Sequence, residues 1–139
     1  PPRSTLFPYT TLFRSLNLYG IERKGKRLEN LVFIELAARG VENSLWRLSY
    51  WKDQDGSEVD FIIIIKDQPK YAIQVCYEIE TSATENREIK GLIKGCHYFN
   101  FDEGWILTQT IDREDIVEGI KVHYTPFWRW ALQIVNHWK

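Results

Sequence analysis

The sequence predicts a single α/β domain of the α+β type, in which helices cover a mixed β-sheet. Three observations support this prediction. A helical run at residues 28–38 precedes three strand-like runs joined by short polar turns. A second helical run at 83–97 separates these strands from a short apolar run at 105–108. One more strand and a C-terminal helix complete the pattern.

The first predicted helix is apolar at nearly every helical angle, and Gly40 supplies a stop signal. A helix of this kind is buried on several sides, so we expect it to pack centrally on the sheet. Glu29 and Glu35 fall among its apolar positions. Carboxylates in apolar surroundings are costly unless they are paired, hydrogen-bonded or placed at a cleft.

Three strands are expected to form an antiparallel meander. Residues 45–51 alternate and are rich in aromatic side chains, and the polar run 52–57 turns the chain into a second strand at Glu58–Ile65. Residues 67–69 make another turn into a third strand at 71–77. Short turns of this kind join antiparallel neighbours.

The second half of the chain predicts a crossover and a closing helix. The strand at 105–108 must reach the sheet through the helix at 83–97, because parallel strands need a long connection. Residues 120–124 add one strand, and Pro126 opens a C-terminal helix. The apolar stripe of that helix favours a core or domain interface over a ligand site, and consists of Phe127, Trp130, Ala131, Ile134 and Trp138.

Residues 1–15 are interpreted as foreign to the protein. Residues 5–15 read TLFPYTTLFRS, which is the in-frame translation of a common DNA sequencing adapter. An ordinary Thr- and Phe-rich strand and turn is the alternative. Because the chain also contains no Met, natural sequence is expected to begin near Leu16, as an N-terminally truncated piece of a larger protein. The remaining 16–139, about 124 residues, is the size of one domain.

Charge limits the classes of function. The chain has 18 basic and 19 acidic residues, and without Arg3 and Arg14 its formal charge moves from −1 to −3. This balance does not favour strong sequence-independent binding to duplex DNA. A local basic cluster favours a solvated helix start over a phosphate contact, and consists of Arg23, Lys24, Lys26 and Arg27.

Hydropathy and cysteine spacing indicate a cytoplasmic protein with no membrane partner. No run approaches the roughly 20 apolar residues that cross a bilayer. Cys76 and Cys96 lack metal-ligand spacing, so we expect buried thiols in a reducing compartment.

The order of the predicted elements and the positions of several polar residues are considered together. The order helix, three-strand meander, helix, strand is similar to the common core of the restriction-endonuclease-like fold. In such enzymes a strand aspartate and an acid on the next strand hold a divalent metal, a lysine two residues beyond that acid helps to activate water, and a helix glutamate often completes the shell. Mg²⁺ prefers oxygen ligands, and the transition state requires nearby positive charge.

This sequence has acids at only two of these four positions. Asp60 takes the first acid position and Glu29 that of the helix acid, whereas Gln74 replaces the second acid and Cys76 replaces the lysine. Glu58 shares a strand face with Asp60 by the period of two. We therefore predict a vestigial catalytic site at Glu29, Asp60, Gln74 and Cys76, and weak Mg²⁺ binding at Asp60, Glu29 and Glu58. Chance occurrence of these residues on a hairpin and a strand is the alternative.

Several motifs in order point to a family. RLENLVFIEL at 27–36, GSEVDF at 56–61, AIQVCY at 72–77 and PFWRWAL at 126–132 closely resemble the C-terminal domain, catalogued as of unknown function (family 4143), of prokaryotic AAA+-type ATPases. The resemblance implies an ATPase domain upstream that binds ATP. This chain has no Gly-rich phosphate-binding motif of the Walker type, so no nucleotide cofactor is expected in it.

Three functions remain open at this stage. The favoured one is a non-catalytic, nuclease-like accessory domain that binds nucleic acid or a protein partner for the ATPase attached in cis. The second is a metal-dependent nuclease with a rearranged active site, in which Lys94 or Lys70 supplies the cation. The third is a protein-interaction module of a toxin–antitoxin-like system.

A variant that begins at Leu16 tests the interpretation of residues 1–15, which are expected to contribute nothing to the fold. Its melting temperature should lie within about two degrees of that of the full chain, measured by calorimetry. A broad, non-cooperative transition in the shortened variant would contradict this expectation.

Overall fold

The computed structural model describes residues 3–6, 24–42, 45–79 and 82–137. Along the chain the elements are β1 (Arg3–Leu6), α1 (Lys24–Glu42), β2 (Trp46–Lys52), β3 (Glu58–Ile65), β4 (Gln68–Val75), α2 (Ser82–Phe99), β5 (Glu103–Thr108), β6 (Arg113–Val117), β7 (Ile120–Pro126) and α3 (Phe127–His137).

The strands of the described chain form one mixed sheet with the order β1-β2-β3-β4-β5-β7-β6. Strands β2, β3 and β4 are the predicted antiparallel meander. Strand β5 pairs parallel with β4, and α2 makes the crossover between them. The predicted α+β fold class and the predicted crossover are therefore confirmed.

Helices cover both faces of this sheet. One core lies between the sheet and helices α1 and α3, and contains Val32, Leu36, Phe61, Ile63 and Trp130. The other lies between the sheet and α2, and is built from residues such as Val59, Ile62, Leu92, Cys96 and Val122. Strand β3 is apolar on both sides because it contributes to both cores, which accounts for its run of isoleucines.

Helix α1 is buried along one stripe only. Leu28, Val32 and Leu36 are buried at four-residue spacing, whereas Leu31 and Ile34 are 50% and 51% exposed. The prediction of burial on several sides is therefore wrong. The helix also continues through Gly40 to Glu42, so the predicted stop is wrong as well; a Cβ at Gly40 would meet nothing closer than 3.9 Å.

Two strands were not predicted. Strand β6 is mostly charged, so it lacks the apolar alternation that indicates a strand, and it joins β7 through a tight turn at Glu118 and Gly119 with positive φ angles of 50° and 81°. Strand β1 pairs antiparallel with β2, which corrects the expectation that nothing before Leu16 takes part in the fold. Its pairing does not test the origin of these residues, since ladder bonds need no particular side chains.

Helix α2 approaches β3 unusually closely. A Cβ added at Gly91 would lie 2.5 Å from the carbonyl oxygen of Glu58, and one added at Gly95 would lie 2.5 Å from Cγ2 of Val59. Only glycine permits this backbone approach. The contact places the middle of α2 beside the N-terminal end of β3.

Replacing Gly91 should therefore weaken the fold. Gly91→Ala is expected to lower the free energy of unfolding by about 1–3 kcal/mol, because the methyl group forces α2 and β3 apart. Denaturant unfolding measures the change. Gly25→Ala is the matched control in α1, where a Cβ would meet nothing within 4 Å; an equal loss in both variants would contradict the argument.

Candidate functional site

The candidate site lies where β3 and β4 separate. Their last paired residues are Phe61 and Ile73, after which β4 continues alongside β5 as far as the pair Val75 and Leu107. Just before this point β3 carries an extra residue: its pairing with β2 shifts between Ile62 and Val59. A bulge of this kind redirects side chains, and such bulges often lie next to functional sites. Asp60 is within it.

Asp60 and Gln74 close the gap between the separating strands. The amide oxygen Oε1 of Gln74 accepts a hydrogen bond from the Asp60 backbone N–H at 3.1 Å, and Oδ2 of Asp60 accepts one from the Val75 N–H at 2.9 Å. Each side chain thus satisfies a backbone donor of the opposite strand. These bonds replace the ladder where the strands diverge.

Helix α2 supplies the third part of the site. Nε2 of Gln74 donates a hydrogen bond to Glu88, whose other oxygen accepts from Nε and Nη2 of Arg87 at 3.2 and 2.6 Å. The Glu88 side chain is 12% exposed and that of Arg87 is 78% exposed. Gln74 is itself buried. Both the oxygen and the nitrogen of its amide make hydrogen bonds.

The carboxyl group of Asp60 is electrostatically unfavourable as an anion. Burial above all, together with the charges of Glu29, Glu88 and Glu58, raises its pKa to about 8, against the opposing effect of the Val75 N–H. The structure therefore brings Glu29, Glu58 and Asp60 into one electrostatic neighbourhood at the end of β3, with Gln74 in contact. At neutral pH Asp60 holds a proton.

Cys76 contributes a thiol that is inert at neutral pH. It is buried, and its Sγ lies 3.5 Å from the carbonyl oxygen of Glu78. Burial, together with the charge of Glu88, raises the pKa of this thiol to about 11, although Arg87 opposes the shift. It is neither a cation nor a thiolate.

Three lysines around the site are paired with acids. Lys26 lies 2.8 Å from Glu29, Lys52 lies 3.4 Å from Glu58, and Lys24 lies 3.8 Å from Glu78. Of the predicted basic cluster, Lys24 and Lys26 therefore contact acids, and Arg23 lies outside the described residues.

The two lysines considered as substitute cations do not reach the site. Lys94 is bound to the β2–β3 turn, with its Nζ 2.9 Å from Asp53 and 3.2 Å from Asp55. Lys70 is exposed on β4, roughly 13 Å along the strand from Gln74 at the usual rise per residue. The cation near Cys76 is instead Arg87.

Sequence reasoning missed Arg87 and Glu88. A usable signal was present, because Glu88 stands three and four residues before Gly91 and Leu92, which places it on the buried face of α2. An acid on that face requires a polar partner. Gln74 is that partner.

The described residues contain no group of three or more His, Cys, Asp or Glu side chains arranged to hold a metal ion. Glu29, Glu58 and Asp60 influence one another through charge, yet they do not form a ready-made coordination shell. Ligation by them would require Asp60 to lose its proton. The predicted weak Mg²⁺ site stays a prediction.

The family model described as Domain of unknown function (DUF4143) matches residues 24–129. The chain belongs to this family. An uncharacterized protein of Methanocaldococcus jannaschii is 38% identical over 123 residues, covering 80% of this chain and 25% of that protein. An uncharacterized protein of Haemophilus influenzae is 29% identical over 124 residues, covering 86% of this chain and 28% of that protein.

The chain thus spans about a quarter of the length of these curated relatives. No solved structure matches it significantly. Within the described residues, no helix combines the length and apolar character needed to span a membrane.

The raised pKa of Asp60 predicts a specific pH dependence of stability. The folded state holds this proton up to about pH 8, whereas the unfolded chain releases it near 3.8. Its contribution is therefore complete below pH 3.8 and is lost as the pH rises through 8. The free energy of unfolding should decrease by more than about 1.4 kcal/mol across this window, since one pKa unit corresponds to that amount.

Asp60→Asn is the matched variant for this test. Asparagine keeps an acceptor for the Val75 N–H but does not titrate. Denaturant unfolding between pH 5 and pH 9, on the scale of the shift above, should show a smaller decline in the variant than in the native chain. Parallel profiles would show that Asp60 does not hold the proton.

Proposed function

We propose that this chain is a non-catalytic, nuclease-like accessory domain that binds a partner for an ATPase attached in cis. The observation that carries the proposal is the reciprocal bonding of Asp60 and Gln74. Each side chain is engaged with the backbone of the opposite strand. Residues at positions that would hold a metal in a restriction-endonuclease-like enzyme thus serve to join two strands.

The chemistry of the site supports the same proposal. A protonated Asp60 offers a metal ion no full charge, and Gln74 contributes none. The buried Cys76 thiol cannot stabilise charge that develops on a phosphate, and Arg87 is already bound to Glu88. Losing one such electrostatic group commonly costs about 10²–10³ in rate. Two such groups are replaced here, the second acid by Gln74 and the lysine by Cys76.

In this proposal the partner is a protein rather than a nucleic acid. Three lysines around the site are paired with acids, namely Lys24, Lys26 and Lys52. Phosphate recognition needs cations that are available to exchange counterions. The formal charge of −1 for the chain agrees with this choice.

The wider assignment rests on the family and on the resemblance. The relatives are about four times as long as the matched segment, which leaves room for an ATPase domain. In this proposal ATP binds upstream, and the reduced thiols Cys76 and Cys96 suit the cytoplasm.

One observation favours the alternative of a metal-dependent nuclease. Glu29, Glu58 and Glu88 all raise the pKa of Asp60, and a protonated carboxyl group among such acids can exchange its proton for a divalent cation. In this alternative Arg87 would leave Glu88 and supply the positive charge.

A cleavage assay decides between the two. The native domain should not cut plasmid or single-stranded substrates with Mg²⁺ or Mn²⁺. The variant Gln74→Glu with Cys76→Lys restores both missing groups, and weak metal-dependent cleavage by it alone would support the proposal. Metal-dependent cleavage by the native domain that is lost in Asp60→Ala would falsify it.

Metal binding provides an independent readout. Gln74→Glu places a carboxylate beside Glu88 and Asp60, so repulsion should lower its melting temperature in the absence of metal. Mn²⁺ should raise the melting temperature of this variant more than that of the native domain. Equal stabilisation of both would show that the native site already binds metal.

A further inference from the structure

His123 on β7 lies between two acids of the neighbouring strands. Its Nδ1 is 2.9 Å from a carboxylate oxygen of Glu114 on β6, and its Nε2 is 2.9 Å from one of Glu103 on β5. The imidazole ring is stacked on that of Trp105, with the centroids 4.9 Å apart and the planes inclined by 14°. The side chain is 16% exposed, so the ring is held on one face and at both nitrogens.

The register of the sheet produces this arrangement. His123 is paired with Trp105 of β5 on one side and with Glu114 of β6 on the other. Side chains that are paired across neighbouring strands lie on the same face of a sheet. Glu103 stands two residues before Trp105 and therefore shares that face. Glu103, His123 and Glu114 together are called the His123 bridge.

The two contacts of the ring require two donors. A neutral imidazole has one N–H and one nitrogen that only accepts, whereas an ionised carboxylate only accepts. Both contacts can be hydrogen bonds at once only when the ring carries a proton on each nitrogen. In the neutral ring, a nitrogen lone pair would face a carboxylate oxygen at 2.9 Å, which is repulsive.

The other charged groups that face the ring come from β7 and from α3. Lys121 on β7 binds Glu114 at 2.9 Å, and Arg129 of α3, which lines the same cleft, is bound to Asp112. Lys121 above all, and then His123, hold the pKa of Glu114 below its usual range. Glu114 is therefore ionised at neutral pH and accepts hydrogen bonds only.

Strand β6 depends on polar contacts for its attachment. Among the described strands β7 alone pairs with it, and three of its five residues are exposed. It therefore buries little apolar surface. On one face of the sheet Arg113 binds Glu85 of α2, and on the other face Glu114 binds His123 and Lys121.

We propose that the His123 bridge is a pH-sensitive link that holds the edge strand β6 to the sheet. With two ring protons His123 bonds Glu103 and Glu114 at once and connects β6 to β5 across β7. With one ring proton it can donate to only one of these acids. The link is therefore complete in mildly acidic solution and weakens as the pH rises through the range in which histidines titrate.

The consequence of this link concerns the edge of the sheet. Because β6 covers the outer side of β7, the pH determines how firmly that side is closed. The contact of Arg113 with Glu85 remains, so loss of the link loosens β6 and does not release it. This inference goes beyond the proposed function, because it assigns a response to pH at a second place in the sheet.

Hydrogen–deuterium exchange of the full chain tests the proposal. Between about pH 5 and pH 8, the range of histidine titration, the protection factors of the β6 amides should fall about tenfold, on the scale of one hydrogen bond to a charged group. The β3 amides report opening of the whole domain, to which Asp60 also contributes. Only a loss of protection in β6 that exceeds the loss in β3 supports the proposal.

Glu103→Gln is the decisive variant. The glutamine amide can accept a hydrogen bond from a protonated ring nitrogen and can donate one to an unprotonated nitrogen. Both contacts of His123 are therefore kept in the neutral ring, and the protection of β6 should become nearly independent of pH. The ¹⁵N chemical shifts of the His123 ring in the native chain report whether it gains its second proton in this range.

His97→Gln is the matched control. His97 lies 3.7 Å from Glu118 in the β6–β7 turn, contacts one acid there and is 52% exposed. This variant removes a titrating histidine beside the same hairpin and leaves the His123 bridge intact. Its β6 protection should fall with pH as in the native chain.

Four results would overturn the proposal. Constant protection of β6 in the native chain would show that the link does not respond to pH. An equal fall in Glu103→Gln would show that the second carboxylate is not the cause. A fall that disappears in His97→Gln would assign the response to the turn, and a His123 ring with one proton throughout would remove the switch. None of these results depends on the cleavage assay, so the two proposals fail separately.

Discussion

The arrangement of the site depends on the point where β4 stops pairing with β3 and pairs with β5 alone. This strand is antiparallel to β3 at one end and parallel to β5 at the other, so backbone groups of β3 and β4 lose their ladder bonds where the two strands part. An unsatisfied buried N–H is costly. Asp60 and Gln74 satisfy these groups, and this requirement fixes where both side chains lie.

This constraint also explains why a neutral residue suits position 74. Glu88 lies on the buried face of α2 and accepts a hydrogen bond from the Gln74 amide. A carboxylate at position 74 could not donate that bond, and it would add an anion beside Asp60 and Glu88. Glutamine therefore bonds both the Asp60 N–H and Glu88 without adding a charge to the site. Arg87 supplies the remaining compensation at the surface.

Much of the fold follows from patterns of short range. The apolar runs of β3 and β5, the polar turns and the periodicity of α2 predict elements in the order that the structure has. The exposure of Leu31 and Ile34 could not be predicted, because apolar character on a helix does not say which side has a partner. Strand β6 is held by its register with β7 rather than by its composition.

The site was predicted to a similar depth. Element order fixes which strand ends meet, and Asp60 and Gln74 are in contact there. Glu29 acts on Asp60 through its charge. The bulge at Asp60 and the engagement of Gln74 with Glu88 arise from tertiary geometry, which no spacing along one strand reveals. The sequence therefore predicts where Asp60 and Gln74 lie, but it does not predict which groups their side chains bond.

The contact at Gly91 and Gly95 has a mechanical meaning. Side chains between a helix and a sheet normally act as a compliant layer, whose rotamers absorb small displacements. At these two glycines the backbone of α2 rests directly on Glu58 and on the side chain of Val59, so that layer is missing there. A displacement of α2 is consequently transmitted to the start of β3 more directly at these two points than through the flexible side chains around them.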